Sequence, residues 1–411
     1  MRVMMLSWEY PPRVVGGLAR HVQELSRAMA SAFEVHAVTC SVEGAGALGR
    51  DRGVWVHPSW RNRQEPYEQP ASRWVHRTDP IGPCVDEFMP WAMQLSHAIL
   101  ARALRVAREA GPFDIVHAHD WTMALAGAGV KRELGLPLVA TIHATEWGRN
   151  GGLCNPMQRR ISDLEWFLCY EAWLVIVCSS HMQNEVGAVF GLPIDKVRVI
   201  PNGVDADQFE QARAYRGTGA SPSSNESIIL FVGRLVREKG VHTLIEAMPK
   251  ILSYWPRARL IVAGRGPAEG SLRDLAASLG LGGRVSLVGF VPDDERNRLY
   301  GMAAAAVVPS LYEPFEAMAA GTPLIAADTG GLAQIVRDGV NGWRFYAGNP
   351  NSLADAVLHV LHCPEAAGQI AEVARREVLS TYDWSAIARK TRDVYEEVLK
   401  ETAAPEEAIA R

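Results

Sequence analysis

Side chains able to hold anions, hydroxyls or metals gather in a few short stretches, each following an apolar run. Ser7-Trp8-Glu9-Tyr10-Pro11-Pro12 leads to Gly16-Gly17-Leu18. Paired glycines let a backbone approach a ligand, and a helix opening there offers N–H groups to an anion; a loop that merely starts a helix has the same composition. His117-Ala118-His119-Asp120-Trp121 and Thr141-Ile142-His143-Ala144-Thr145-Glu146 place imidazoles and carboxylates behind two further runs. His-x-His-Asp invites a metal, but no further histidine or second His/Asp cluster completes a ligand set, so no metal site is expected. His143, at a strand end, is either structural or turned to a substrate.

Later, Gly233-Arg234-Leu235-Val236-Arg237-Glu238-Lys239-Gly240 sets two cations, Arg234 and Lys239, just beyond an apolar run. Arginine grips phosphate bidentately and lysine adds a point charge, which suits a diphosphate. The plainer reading is a solvated pair of cations balanced by Glu238. Gly264-Arg265-Gly266-Pro267 resembles a dinucleotide fingerprint only superficially, because proline interrupts it and it lies deep in the chain; no redox cofactor is expected. Glu313 and Glu316 flank a turn before Ala317–Pro323, and Gly330-Gly331-Leu332 opens another helix. Carboxylates there suit sugar or ribose hydroxyls, and glycine amides suit phosphate.

These stretches need elements to hold them. Val3–Ser7, Val35–Thr39, Ile115–Ala118, Leu138–Ile142 and Leu174–Cys178 read as strands, with helices over Leu18–Ala30 and Met93–Glu109. A second series, Ile228–Val232, Arg259–Ala263, Val285–Val288, Ala306–Val308 and Pro323–Ala326, is apolar on both faces, as fully buried parallel strands are. Residues 57–83 show no clear period and read as an irregular excursion, and Arg213–Ser227 reads as an exposed boundary. The expectation is an α/β chain of two Rossmann-like doubly wound domains, 1–200 and 201–383, facing a central cleft, with a helix at 384–400 returning to the first.

Composition narrows the classes. The chain has 411 residues and a net charge of −4, with 48% hydrophobic and 21% charged residues, which excludes a mainly disordered, collagenous or coiled-coil protein. No basic block marks a nucleic-acid surface. Apolar runs fall short of the ~20 residues that span a bilayer. Six cysteines lie far apart without a CxxC pair, which suits reduced thiols and a cytoplasmic setting.

Taken together, Ser7–Pro12, Pro201-Asn202-Gly203-Val204-Asp205, Gly233–Gly240 and Glu316–Pro323 resemble the family-4 retaining glycosyltransferases of the GT-B fold. His-Ala-His-Asp-Trp and Thr-Ile-His-Ala-Thr-Glu are most similar to the glycogen-synthase-like members from bacteria and archaea. The resemblance implies transfer of a hexose, glucose foremost, from a nucleotide sugar to an α-glucan or related glycan, with no cofactor and no metal. By residue, it implies that Gly16 and Gly17 lie near the donor phosphates and His143 near the donor sugar. Arg234 and Lys239 hold the leaving diphosphate, Glu313 lies at the sugar and Glu316 at the ribose. Gly264, Gly330, Gly331 and Leu332 complete the donor site, while His119, Asp120, Trp121 and Glu146 face the acceptor. The donor base and the oligomeric state stay open.

Two positions depart from the family. Val14 stands where starch- and glycogen-synthase relatives carry a lysine two residues before the Gly-Gly pair. More consequential, the family spaces its glutamates as Glu-x7-Glu, whereas Glu313 and Glu316 enclose two residues. On a helix eight positions advance about 12 Å and three about 4.5 Å, so both carboxylates cannot take their usual places. The alternatives are therefore a catalytically impaired nucleotide-sugar or glucan binder, and a lipid or small-molecule glycosyltransferase. A phosphorylase or hydrolase is disfavoured, for want of a pyridoxal-phosphate lysine signature or a spaced acid/base pair.

Overall fold

The computed structural model describes residues 1–14, 16–40, 49–59, 85–205, 207–210, 226–309 and 315–403. The chain divides into two compact units, Met1–Gly203 with Trp384–Arg411, and Val204–Asp383.

The first unit carries an eight-stranded sheet. Its strands in chain order are β1 (Arg2–Leu6), β2 (Glu34–Thr39), β3 (Arg50–Asp51), β4 (Val54–Pro58), β5 (Ile115–His119), β6 (Leu138–Ile142), β7 (Leu174–Val177) and β8 (Val197–Val199). The spatial order is β3-β4-β2-β1-β5-β6-β7-β8, parallel except for the short β3–β4 pair. Val3, Met4, Met5 and Leu6 of β1 are fully buried, since helices cover both sheet faces. The chain builds outward from β1 to β4 and then returns to β1's other side with β5. The β1 and β5 ends therefore flank the point where strand order reverses, where open α/β sheets bind ligands.

Helix Gly17–Met29 buries Leu18, Val22, Leu25 and Met29 along one face, the stripe its sequence spacing requires. The second helix is longer than its periodicity indicated, Val85–Ala110, and tolerates Pro90. The C-terminal helix, Trp384–Ala403, packs on this unit: Ile387, Tyr395 and Val398 are buried in its core.

The second unit holds six parallel strands, β9 (Ser227–Val232), β10 (Ala258–Ala263), β11 (Val285–Gly289), β12 (Ala305–Val308), β13 (Leu324–Ala327) and β14 (Trp343–Phe345), ordered β11-β10-β9-β12-β13-β14. Its reversal lies between β9 and β12, so the loops after these strands take the ligand-binding position. The expectation of full burial fails at β11. This strand is at the sheet edge, and Val288 is 47% exposed. Of the irregular excursion, His57 and Pro58 belong to β4 and residues 60–83 lie outside the described residues; so do 213–225 of the boundary segment. No helix among the described residues is long and apolar enough to cross a membrane.

Candidate active site

In the first unit the loop after β1 is tied to the next helix by Glu9, a buried carboxylate whose Oε2 accepts from the Gly16 amide at 2.8 Å. Gly16 is extended and Gly17 begins the helix, with no side chain capping its N-terminus. A Cβ at either glycine would meet nothing within 4 Å. The backbone is thus open to a ligand, and the orphan amides of a 13-residue helix favour an anion there.

The ends of β5 and β6 carry a buried network. His117 is fully satisfied, Nδ1 to the Tyr395 hydroxyl at 2.6 Å and Nε2 to Thr141 Oγ1 at 2.7 Å, so it braces the sheet against the C-terminal helix. His119, two positions on and with its ring centroid 4.1 Å from that of His117, has Nδ1 3.3 Å from His143 Nε2. Asp120 adopts φ +62° and ψ +166°, a backbone region used almost exclusively by glycine and therefore strained for an aspartate. Its Oδ1 accepts from the His143 amide at 2.8 Å, fixing the turn that presents His143.

Burial governs the ionisation of these groups. It lowers His143 to about 3, with the nearby Arg149 charge adding to the effect, so the ring is neutral at physiological pH. Burial raises Asp120 to about 6 against the pull of Arg149 and the His143 amide. Glu165 rises to about 8, although it accepts from the Glu146 amide and lies 3.8 Å from Arg149. Glu146 heads the short helix Glu146–Asn150, capped by Thr145 Oγ1 accepting from the Gly148 amide. Trp121 is buried against Phe88, whereas Trp147 is 41% exposed.

In the second unit Arg234 follows β9 and is exposed. Lys239 ends a short 3-10 turn, and Gly240 at φ +67° passes the chain into helix Val241–Tyr254, whose N-terminus has no side-chain cap. Two cations and an open helix start therefore lie at one loop, suited to a diphosphate. Gly264 has a packing reason to be glycine: at φ +142°, a Cβ would sit 1.8 Å from the Gly233 carbonyl oxygen. Glu316 stands in helix Phe315–Ala319, its Oε1 3.5 Å from Arg296 Nη1, and its Oε2 accepts from the Tyr300 hydroxyl at 3.4 Å. Gly330 has φ +53° and Gly331 caps helix Leu332–Ile335. The Leu332 side chain is buried. Glu313 lies outside the described residues.

Residues 15–208 match the family described as Glycosyltransferase Family 4, and residues 219–377 match Glycosyl transferases group 1. The chain is 36% identical over 405 residues to a glycogen synthase of Mycobacterium tuberculosis, covering 96% of this chain and 94% of that protein. The chain belongs to glycosyltransferase family 4. A Methanocaldococcus jannaschii protein described as an uncharacterized glycosyltransferase is also 36% identical, over 96% of this chain and 98% of its own. Among solved structures, sucrose-phosphate synthase from Thermosynechococcus elongatus superposes with a TM-score of 0.78 at 23% identity, covering 98% and 100% of the two chains. That likeness establishes the GT-B fold.

The glycosyltransferase contains site residues that no motif announced. His21 lies on helix Gly17–Met29 with its ring 4.4 Å from that of His143, and its Nδ1 is 2.8 Å from Asn202 Oδ1. Arg296 and Tyr300 orient Glu316, and Arg149 and Glu165 underlie Asp120. Only Asn202 stood in a noticed stretch, Pro201–Asp205. The helical spacing of Gly17 and His21 is the one sequence signal that could have added His21.

Proposed function

We propose that this glycosyltransferase moves glucose from a nucleoside diphosphate glucose to an α-glucan, with retention of anomeric configuration. The observation that carries this reading is the 36% identity, across 96% of the chain, to a protein named glycogen synthase. Cleavage of the anomeric C–O bond places negative charge on the departing diphosphate. Arg234 and Lys239, beside the uncapped start of helix Val241–Tyr254, neutralise it. Each such charge-stabilising donor contributes on the order of 10²-fold to the rate, and no step requires a metal.

Gly16 and Gly17 offer backbone to the donor phosphates. His143, neutral and held by Asp120, bonds a sugar hydroxyl, while Glu316 accepts from the ribose hydroxyls in the orientation set by Arg296 and Tyr300. Glu146 and the exposed Trp147 serve the acceptor side, where an indole face stacks on a sugar ring. The acceptor hydroxyl attacks the face from which the diphosphate leaves: the new C–O bond forms as the old one breaks, and the hydroxyl proton passes to the leaving phosphate oxygen.

A donor panel of UDP-, ADP- and GDP-hexoses with maltooligosaccharides tests this, with calorimetry of UDP and ADP alongside. Transfer from a glucose nucleotide supports the proposal. Nucleotide binding without turnover identifies an impaired binder, and transfer only to a non-glucan acceptor overturns the α-glucan assignment.

A further inference from the structure

We propose that His21, His119 and His143 form a site for a transition-metal cation of the Zn²⁺ class, within the first unit. One ring nitrogen from each lies within 4.8 Å of the other two. They come from three elements: helix Gly17–Met29, the end of β5 and the turn after β6. A Zn–N bond of about 2.0–2.1 Å in tetrahedral geometry sets ligand nitrogens about 3.4 Å apart. His119 Nδ1 and His143 Nε2 already stand at 3.3 Å, so side-chain rotation of His21 closes the set.

Lone pairs are available at this site. The His21 Nε2 atom is buried and has no hydrogen-bond partner among the described residues, on a side chain that is 6% exposed. Leaving a buried ring nitrogen unpaired is unfavourable, and a bound cation would satisfy it. With Asn202 Oδ1 directed at His21 Nδ1 at 2.8 Å, that nitrogen carries the proton and Nε2 presents its lone pair. This is the arrangement by which an outer partner orients a metal-binding histidine. An all-imidazole set selects Zn²⁺, Co²⁺, Ni²⁺ or Cu²⁺ over Mg²⁺ or Ca²⁺, which take oxygen ligands. His143 keeps partial exposure and gives the ion its approach.

The site shares His143 with the proposed donor-sugar position, so an occupied site inhibits transfer; that consequence rests on the functional proposal, whereas metal binding does not. The test is spectroscopic titration of the full-length, chelator-stripped protein with Co²⁺, followed by Zn²⁺ competition. The expected result is one Co²⁺ per chain with the d–d bands of a four-coordinate site of three imidazole nitrogens and one water, displaced by Zn²⁺. His21→Gln weakens binding by about 100-fold or more, and Asn202→Ala by about 10–100-fold. Circular dichroism identifies any variant that fails to fold, and Asn202→Ala keeps the test decisive if His21→Gln does. His181→Ala, at a half-exposed histidine near Glu185, leaves the spectrum unchanged. No stoichiometric Co²⁺ band, equal binding in folded His21→Gln and Asn202→Ala variants, or loss in His181→Ala instead overturns the proposal.

Discussion

Arg234 is an exposed guanidinium following a largely buried strand. If it neutralises the leaving diphosphate, Arg234→Ala lowers kcat by about 10²–10³ while the thermal midpoint stays unchanged. Steady-state kinetics beside a melting curve measure both; an unaltered kcat removes Arg234 from the chemistry. Glu165 makes a different prediction, about stability. Its carboxyl is held near 8 by burial, against an ordinary 4.5. Between those values the folded state binds more protons than the unfolded, so this group's contribution is complete below about 4.5 and is lost as pH rises through about 8. Urea midpoints therefore fall from about pH 6 to about pH 9, and Glu165→Gln flattens part of that fall. An identical slope in the variant contradicts the assignment. The sequence made the motif residues visible because chemistry constrains their neighbours along the chain. Glu165, Arg149, Arg296 and His21 were hidden because their partners are distant; His21 meets Asn202 across 181 positions.

At the scale of elements, loops after parallel strands carry the site, and several owe their sequence to packing. The backbone of Gly264 approaches Gly233 so closely that Gly264→Ala cannot be accommodated in place. It should cost at least about 2 kcal/mol, seen as a lowered denaturation midpoint, and an unchanged midpoint contradicts the packing account. Ahead of helix Phe315–Ala319 the question is one of sequence: Glu313 and Glu316 enclose two residues where the family resemblance implies seven. Inserting Gly-Ile-Val-Ala-Leu after Phe315 puts seven residues between the two glutamates. If the shortening impairs the site, the insertion raises transfer activity; equal activity in both proteins sinks that idea. The long buried strands were legible from short apolar runs bounded by turns. β8 (Val-Arg-Val) and β14 (Trp-Arg-Phe) were not, because three residues with a central arginine carry too little pattern. β4 ends in His57 and Pro58, which disguised it as loop.

For the whole molecule, the chain leaves its first unit at Gly203 and returns at Trp384. The returning helix is structural to that unit. Tyr395 bonds His117, Glu397 pairs with Arg198, and the Trp384 ring occupies the space a Cβ on Gly203 would need. Truncation before Trp384 should expose the buried faces of Ile387, Tyr395 and Val398 and leave the first unit insoluble or rapidly exchanging its amides, whereas a soluble, protected fragment contradicts this role. Alternation of short buried strands with amphipathic helices made the α/β class readable, because parallel sheets leave that imprint on sequence. The central claim is glucosyl transfer with retention, and proton NMR of the glycan product tests it most directly, using UDP- or ADP-glucose and a maltooligosaccharide. The account predicts an extended oligosaccharide whose new anomeric proton has the α configuration of the donor; a β-anomeric product, or an unextended acceptor with either donor, would contradict it.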